Sequence, residues 1–358
     1  MKKSRVIQLS PTLSFGDAVS NDVFAMNEVL TKLGYENYIV AMNISQKVSG
    51  RAIPFRKYVP QKNDILLYHM SIGNDMSDFV AAADVKRKLM VYHNITPAHF
   101  FDGISHLNAA CRRGRDELLR LADCIDFALC DSDYNRQELD DLQYRATATL
   151  PIVFDKSEYF SVKPSEEILG LYGGDGYTNI LFVGRIAPNK KQEDILQSFH
   201  LYNKYINPKS RLFLVGAVVE TELYMEALKS YVTENNIENV FFSGHVTFPE
   251  ILAYYRTADI FLCESEHEGF CVPLLEAMAF DLPVVAYAST AIPYTMGNSG
   301  ILFTEKDPRL VAELLDLAAT NEALREKIIQ GQRERLEFFD IERTKALFGE
   351  LIKPWLDD

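Results

Sequence analysis

The chain is poor in the residues that usually announce a specialised chemistry. Its 358 residues include five cysteines, Cys111, Cys124, Cys130, Cys263 and Cys271. No two of them form a C-x-x-C pair and their number is odd. That argues against a disulfide framework or a cysteine-rich zinc site and fits a reducing cytoplasm. No apolar run approaches membrane-spanning length. The N-terminus starts with two lysines but passes straight into a short strand pattern, without the apolar stretch that export needs. Neither half opens on G-x-G-x-x-G, which disfavours a nicotinamide dehydrogenase, and no G-x-x-x-x-G-K-[ST] loop is present. Basic charge is short in one half only. Residues 1–165 carry 20 basic and 20 acidic side chains, residues 166–358 carry 17 and 30, so the whole net charge of −13 falls in the second half. Such acidity argues against general nucleic-acid binding. A diphosphate site in that half would need its own local cations.

What is there is the pattern of a two-domain α/β protein. The length suits two domains, and 47% apolar with 24% charged residues is ordinary for a globular chain. Strands are expected at Val6–Leu9, Tyr38–Met42, Ile65–His69, Leu89–His93, Phe127–Cys130 and Thr149–Val153, with helices at Asn21–Leu33 and Asn108–Ala122 between them. This βα alternation implies a mainly parallel sheet covered on both faces. The polar interval Lys163–Thr178, with four glycines, is expected to be a hinge. The pattern then restarts. Asn179–Gly184, Arg211–Gly216 and Asn239–Gly244 each read as a strand ending in glycine, followed by Ile260–Cys263 and Pro283–Ala286. The expected division is therefore 1–165 and 166–339, with a terminal helix at about 340–358 returning to the first domain. In such doubly wound sheets, ligands sit at the C-terminal ends of the strands.

Two acids and two cations stand at such strand ends. Glu268 and Glu276 flank a turn into a helix, in the run Glu268-Gly-Phe-Cys-Val-Pro-Leu-Leu-Glu276. Carboxylates accept hydrogen bonds from hydroxyls, and backbone N–H groups at a helix start favour anions. A sugar joined to a nucleotide through a diphosphate carries both kinds of group. Taken alone, Glu276 reads better as a complement to the helix dipole and Glu268 as a solvated loop acid; the whole constellation does not. Arg185 and Lys190 lie in Gly184-Arg-Ile-Ala-Pro-Asn-Lys190, at another strand end, where Arg offers a bidentate grip and Lys a compact charge. Solvated loop cations are the competing reading. Asp131-Ser-Asp133 has the Asp-x-Asp form of a divalent-ion ligand, but a helix expected at Tyr134–Leu142 makes a helix cap the better reading.

Together, Gly184-Arg185…Lys190, Gly244-His-Val246, Glu268-Gly-Phe…Pro273…Glu276 and Ile292-Pro293 occur in the order and spacing of the retaining family 4 glycosyltransferases. The chain closely resembles that family, specifically over residues 179–303 and mostly in architecture over 1–165. The resemblance implies the GT-B fold of two facing Rossmann-like domains, an N-terminal acceptor domain and a C-terminal donor domain. It implies that Arg185 and Lys190 hold the donor diphosphate, that Glu276 binds the ribose hydroxyls and that Glu268 touches the transferred sugar. Val246 would meet the base, and Gly269, Phe270, Cys271 and Val272 would lend a backbone cradle to the phosphates. It also implies an orienting contact of His93 with the donor sugar, and a place near the diphosphate and acceptor for the loop containing Gly16 and Asp17.

The chain departs from the family's pattern in places. One glycine, Gly16, stands where two are usual, so Asp17 could accept an acceptor hydroxyl or simply begin a helix. Cys271 replaces a frequent glycine, and Tyr294 and Asn298 replace common acids. The expected enzyme is a cytoplasmic, retaining hexosyltransferase taking a UDP-, GDP- or dTDP-sugar to a saccharide or lipid-linked acceptor, in bacterial cell-surface polysaccharide synthesis. Two fixed cations allow that chemistry without a metal or other cofactor. The clusters Lys86-Arg-Lys88 and Arg112-Arg113-Gly-Arg115, the latter after Phe100 and Phe101, allow peripheral contact with the inner face of a membrane. The rival readings are a non-catalytic partner subunit, or a nucleotide-sugar epimerase or sugar phosphorylase of the same fold.

Overall fold

The computed structural model describes residues 4–14 and 16–357. The chain divides into two units. The first comprises Met1–Ala98, Asn108–Phe154 and Phe339–Asp358; the second comprises His99–Leu107 and Asp155–Phe338. The changeover thus falls at Phe154/Asp155, ahead of the expected boundary at 165/166. The interval read as a hinge lies inside the second unit. There the helix Glu166–Tyr172 is pinned by Ser165, whose N–H donates to the Pro249 carbonyl, and by the Tyr172 ring against Phe213 and Phe241.

The first unit holds seven strands: β1 Arg5–Leu13, β2 Glu36–Ile44, β3 Ile53–Pro54, β4 Asp64–Met70, β5 Arg87–Tyr92, β6 Phe127–Cys130 and β7 Thr147–Thr149. Their order is β3-β2-β1-β4-β5-β6-β7 and every neighbour is parallel. All seven residues of β4 are buried, as a central strand covered on both faces requires. The two-residue β3, which includes a proline that cannot donate to a ladder, is confined to the edge. The helix Ile341–Leu356 is part of this unit. Its Phe348, Ile352 and Leu356 join Met26, Val29, Ile65 and Leu67 in one core cluster.

The second unit repeats the plan with β8 Thr178–Val183, β9 Ser210–Val215, β10 Val240–Gly244, β11 Ile260–Cys263, β12 Val284–Tyr287 and β13 Ile301–Phe303. The order is β10-β9-β8-β11-β12-β13, again all parallel. The strand direction of travel reverses between β8 and β11, whose register pairs Ile180 with Ile260. In a doubly wound sheet that switch point opens the crevice where ligands bind. On the other side of β8, Gly216 closes a tight contact. A Cβ there would lie 1.9 Å from the Gly184 carbonyl oxygen, so only glycine lets the turns after β8 and β9 approach so closely.

Candidate active site

At the switch point of the second unit, two loops are stitched together. The loop after β8 runs from Gly184 to Lys191, and the loop after β11 from Glu264 to Cys271. Asn189, buried between them, is the stitch: its carbonyl accepts from the Glu266 N–H at 2.9 Å, and its side-chain amide donates to the His267 carbonyl at 3.0 Å. The Gln192 amide donates to the Arg185 carbonyl at 3.1 Å and the Thr221 hydroxyl to the Ile186 carbonyl at 2.5 Å, fixing the start of the first loop. The Arg185 side chain is exposed, whereas Lys190 turns inward. There its ammonium lies 2.5 Å from Glu268 Oε2. Burial alone pulls the Lys190 ammonium down, and the Glu268 carboxylate reverses this, leaving it raised and charged. The Glu268 N–H is held in turn by the Thr290 hydroxyl at 2.9 Å.

The helix Val272–Ala279 follows, with Cys271 at its N-cap in the left-handed region, φ +74° and ψ +66°. That backbone explains why glycine suits the position, since a Cβ costs about 1 kcal/mol there. Phe270 is buried and its carbonyl accepts from the Thr295 hydroxyl. Gly269, Phe270, Cys271 and Val272 therefore form a fixed bend into a helix start. Glu276, one turn further on, is clasped by two phenols: Tyr159 donates to Oε1 at 2.6 Å and Tyr255 to Oε2 at 2.5 Å. Burial raises its carboxyl, and the two hydrogen bonds hold that rise back. Each oxygen keeps a second lone pair for a ligand hydroxyl. Val246 lies half-buried between β10 and the helix Phe248–Thr257, which begins with a Thr247–Glu250 capping box.

Asn189, Tyr159, Tyr255 and Thr290 escaped the sequence reading. Their roles depend on partners meeting across 21 to 117 positions. For Asn189, the one local signal was its place between Arg185 and Lys190.

Glu264 is a further buried acid beside this site. It accepts from Ser198 at 2.8 Å, and burial pushes its carboxyl up to about 7. The folded state therefore holds a proton between about pH 4.5 and 7 that the unfolded chain has released, so this group costs stability as pH rises through that window. The full cost is about 3 kcal/mol above pH 7. Glu264→Gln keeps the acceptor for Ser198 and removes the titration. The variant is expected to match the parent at pH 4.5 and to exceed its urea stability by an amount that grows toward pH 8. A difference independent of pH would refute this.

The first unit places its expected residues otherwise. Gly16 has φ +80°, and Asp17 caps the helix Ala18–Lys32, accepting from the Ser20 N–H and hydroxyl, so its carboxylate does begin the helix. Phe15, between Ser14 and Gly16, lies outside the described residues. His93 follows β5, but its side chain is only 2% exposed. Nδ1 lies 2.9 Å from Asp131 Oδ2 and Nε2 lies 3.0 Å from His69 Nδ1. Both ring nitrogens are thus committed inside the unit, and the expected contact with a donor sugar has no free ring atom to make it. Ser132 is the N-cap of the helix Asp133–Asp141, as expected of the Asp-x-Asp segment. In the basic cluster, Arg113 pairs with Asp75 and Glu117, and Arg115 donates to the Ile95 carbonyl and pairs with Glu138.

Among the described residues, two groups of metal-ligating atoms come within 4.8 Å of one another: Cys263, Glu268 and Cys271, and Asp22, His93 and Asp131. In the second, the imidazole has no lone pair left for an ion. In the first, the Lys190 ammonium already occupies the carboxylate. Among the described residues no helix is long and apolar enough to cross a membrane.

Residues 174–335 match the family described as glycosyl transferases group 1. Among curated proteins, the capsular polysaccharide biosynthesis glycosyltransferase CapM of Staphylococcus aureus is 29% identical over 159 residues, 44% of this chain and 40% of that protein. The chain thus spans less than half the length of this relative. Among solved structures, sucrose-phosphate synthase from Thermosynechococcus elongatus superposes with a TM-score of 0.76 at 16% identity, covering 99% of both chains. HepE of Anabaena, solved in complex with UDP-glucose, gives 0.75 at 16% identity over 98% of this chain and 100% of that one. At such identities the likeness is one of fold: two Rossmann-like units of the GT-B kind.

Proposed function

We propose that this protein, whose residues 174–335 match the group 1 glycosyltransferases, moves a hexose-type sugar from a nucleotide-diphosphate donor to a saccharide or lipid-linked acceptor with retention at the anomeric carbon. The observation that carries this reading is the Lys190–Glu268 pair, set at the sheet's switch point beside the bend into the helix Val272–Ala279. Breaking a glycosyl–phosphate bond leaves negative charge on a diphosphate and positive character at the anomeric carbon. Arg185 and Lys190 take the first, with the backbone from Gly269 to Val272, and Glu268 lies against the sugar that bears the second. Glu276, with one lone pair spare on each oxygen, takes the ribose hydroxyls, and Val246 meets the base.

The sequence offers no extra acid as an obvious covalent nucleophile, which supports attack from the same face as departure. The leaving phosphate accepts the acceptor's proton. Two protein cations carry the charge of the leaving group, so the reaction proceeds without a divalent ion. The name of the S. aureus relative supports a place in surface polysaccharide synthesis, and the ligand of the Anabaena structure makes UDP-glucose the first donor to try.

The test is a thermal-shift screen of UDP-, GDP- and dTDP-sugars, since a bound donor raises the melting temperature by mass action. Turnover of the best donor then follows, with and without excess EDTA. Arg185→Ala, a change at an exposed side chain, is expected to lower kcat by about 100-fold or more, the range of a lost oxyanion donor. A variant within a few-fold of the parent, or complete loss of turnover in EDTA, would refute the corresponding assignment.

A further inference from the structure

We propose that Cys263 and Cys271 are an oxidisable thiol pair that closes to an intrachain disulfide when a peroxide reaches it. Cys263 ends β11 and Cys271 caps the helix Val272–Ala279, and their sulfurs lie within 4.8 Å of one another and of a Glu268 oxygen. Both thiols are free and buried. The sulfur of Cys263 also lies 3.4 Å from the Ser265 hydroxyl. Such neighbours suit a thiolate, and a hydrogen bond with Cys271 holds the Cys263 thiol below its ordinary range while raising that of Cys271. The Lys190 ammonium, 2.5 Å from Glu268, offsets that carboxylate's repulsion. Cys271 also occupies a left-handed backbone position that glycine would take without strain, and its side chain meets the second sulfur there.

The chemistry balances with hydrogen peroxide as the oxidant. The Cys263 thiolate attacks one peroxide oxygen, the O–O bond breaks, and hydroxide leaves to take the proton the thiol had lost, giving a sulfenic acid and water. The Cys271 sulfur then attacks the sulfenic sulfur, forming the S–S bond, and its proton leaves with the hydroxyl as a second water. Two thiols are oxidised and one peroxide is reduced to two waters. The bond draws the end of β11 toward the helix start and so displaces the Glu268–Cys271 bend between them. If the donor-site reading holds, turnover falls on the order of 100-fold, the cost of about 1 Å of misplacement at a reacting centre.

Treating the whole protein with hydrogen peroxide, then counting thiols in denaturant, is expected to show three of the five cysteines still free. Glutamyl endopeptidase cuts after Glu264, Glu266 and Glu268, so the fragments bearing Cys263 and Cys271 should stay joined until dithiothreitol is added. Cys263→Ala is expected to keep its glycosyl-transfer activity, to form no such link and to resist peroxide. Five free thiols in the treated parent, oxidation without a cross-link, or a loss of thiols reversed by a chelator rather than a reductant would each overturn the proposal. Should Cys263→Ala fail to fold, the fragment map of the parent decides alone. A cross-link that forms while turnover stays unchanged counts against the donor-site reading and leaves the thiol pair standing.

Discussion

Lys190→Met is expected to cost both turnover and stability, by amounts that separate its two roles. Its ammonium is 21% exposed and the Glu268 carboxylate 8% exposed, with 2.5 Å between them. Removing one partner of a pair so enclosed leaves the other charge uncompensated, at a cost of about 3–5 kcal/mol. An exposed pair such as Lys62–Asp84, with side chains more than 80% exposed, would lose at most about 1 kcal/mol. In turnover, the loss of a cation facing the leaving diphosphate is expected to lower kcat by about 100-fold or more. The double variant Lys190→Met/Glu268→Gln removes both charges. It should recover most of the stability and none of the activity, since the phosphate still lacks its cation and the sugar its carboxylate. Urea unfolding and single-turnover kinetics on the three proteins decide this. If Lys190→Met unfolds at the parent's urea concentration, the pair is not the buried one described. If the double variant regains turnover, the reaction needs neither charge and both assignments fail.

The fold was legible wherever strand and helix signals were local. β6 and β11 have the expected bounds, and the glycines closing β8, β9 and β10 marked strand ends; at Gly216 a Cβ would collide with the Gly184 carbonyl, and Gly244 turns at φ +66°. Short edge elements were not legible. β13 has three residues and β3 two, too few for a period of two to show. β7 sits at Thr147–Thr149 rather than 149–153 because Pro151 cannot donate to the ladder. The segment His99–Leu107 reads as part of the first half but lies in the second unit. Its Ile104 packs on that unit's core and its Phe100 ring approaches His267 at 6.3 Å, contacts that no local pattern encodes.

The same division holds in the site. Charged residues at strand ends announced themselves, since Arg185, Lys190, Glu268 and Glu276 are chemically conspicuous against an acidic, apolar background. Their supports were silent: Asn189, Thr290 and the two tyrosines on Glu276 are ordinary residues made specific by the fold. Cys271 was visible as an odd residue in a glycine's place, but its partner Cys263 ends a strand and looked like core. His93 shows the converse failure. A histidine at a strand end looks poised for ligand, yet a second histidine and a buried aspartate absorb both of its nitrogens.

Asp131→Asn should be among the most destabilising conservative changes in the first unit, because it breaks a chain of protons rather than a single bond. Gln8 donates its amide to the Val23 carbonyl at 3.1 Å, so its Oε1 faces His69 as an acceptor. His69 must then carry its proton on Nε2 and present a bare Nδ1 to His93. Burial and the neighbouring His93 keep His69 well below the ordinary range, hence neutral. His93 Nε2 must therefore donate, while its Nδ1 donates to the carboxylate of Asp131, so the ring is an imidazolium. Burial opposes this, and Asp131, with Asp22 and Asp17 behind it, outweighs burial, leaving the His93 ring raised. Asparagine removes the counter-charge bonded to the ring and leaves Asp22, whose carboxyl burial pushes up to about 8, as the other acid of the cluster; a neutral His93 donating to the asparagine turns a lone pair toward the lone pair of His69 at 3.0 Å. Losing the buried pair costs about 3–5 kcal/mol, and an unmade buried hydrogen bond about 1–3 kcal/mol; these overlap, so a total near the upper part of the first range is expected. The fingerprint is pH. In the parent, the His93 ring gives the NMR shifts of an imidazolium at pH 7. In Asp131→Asn it should give those of neutral imidazole, while His69 is neutral in both. Imidazolium shifts persisting in the variant, or a urea midpoint equal to the parent's, would show that the proton chain is not organised by Asp131.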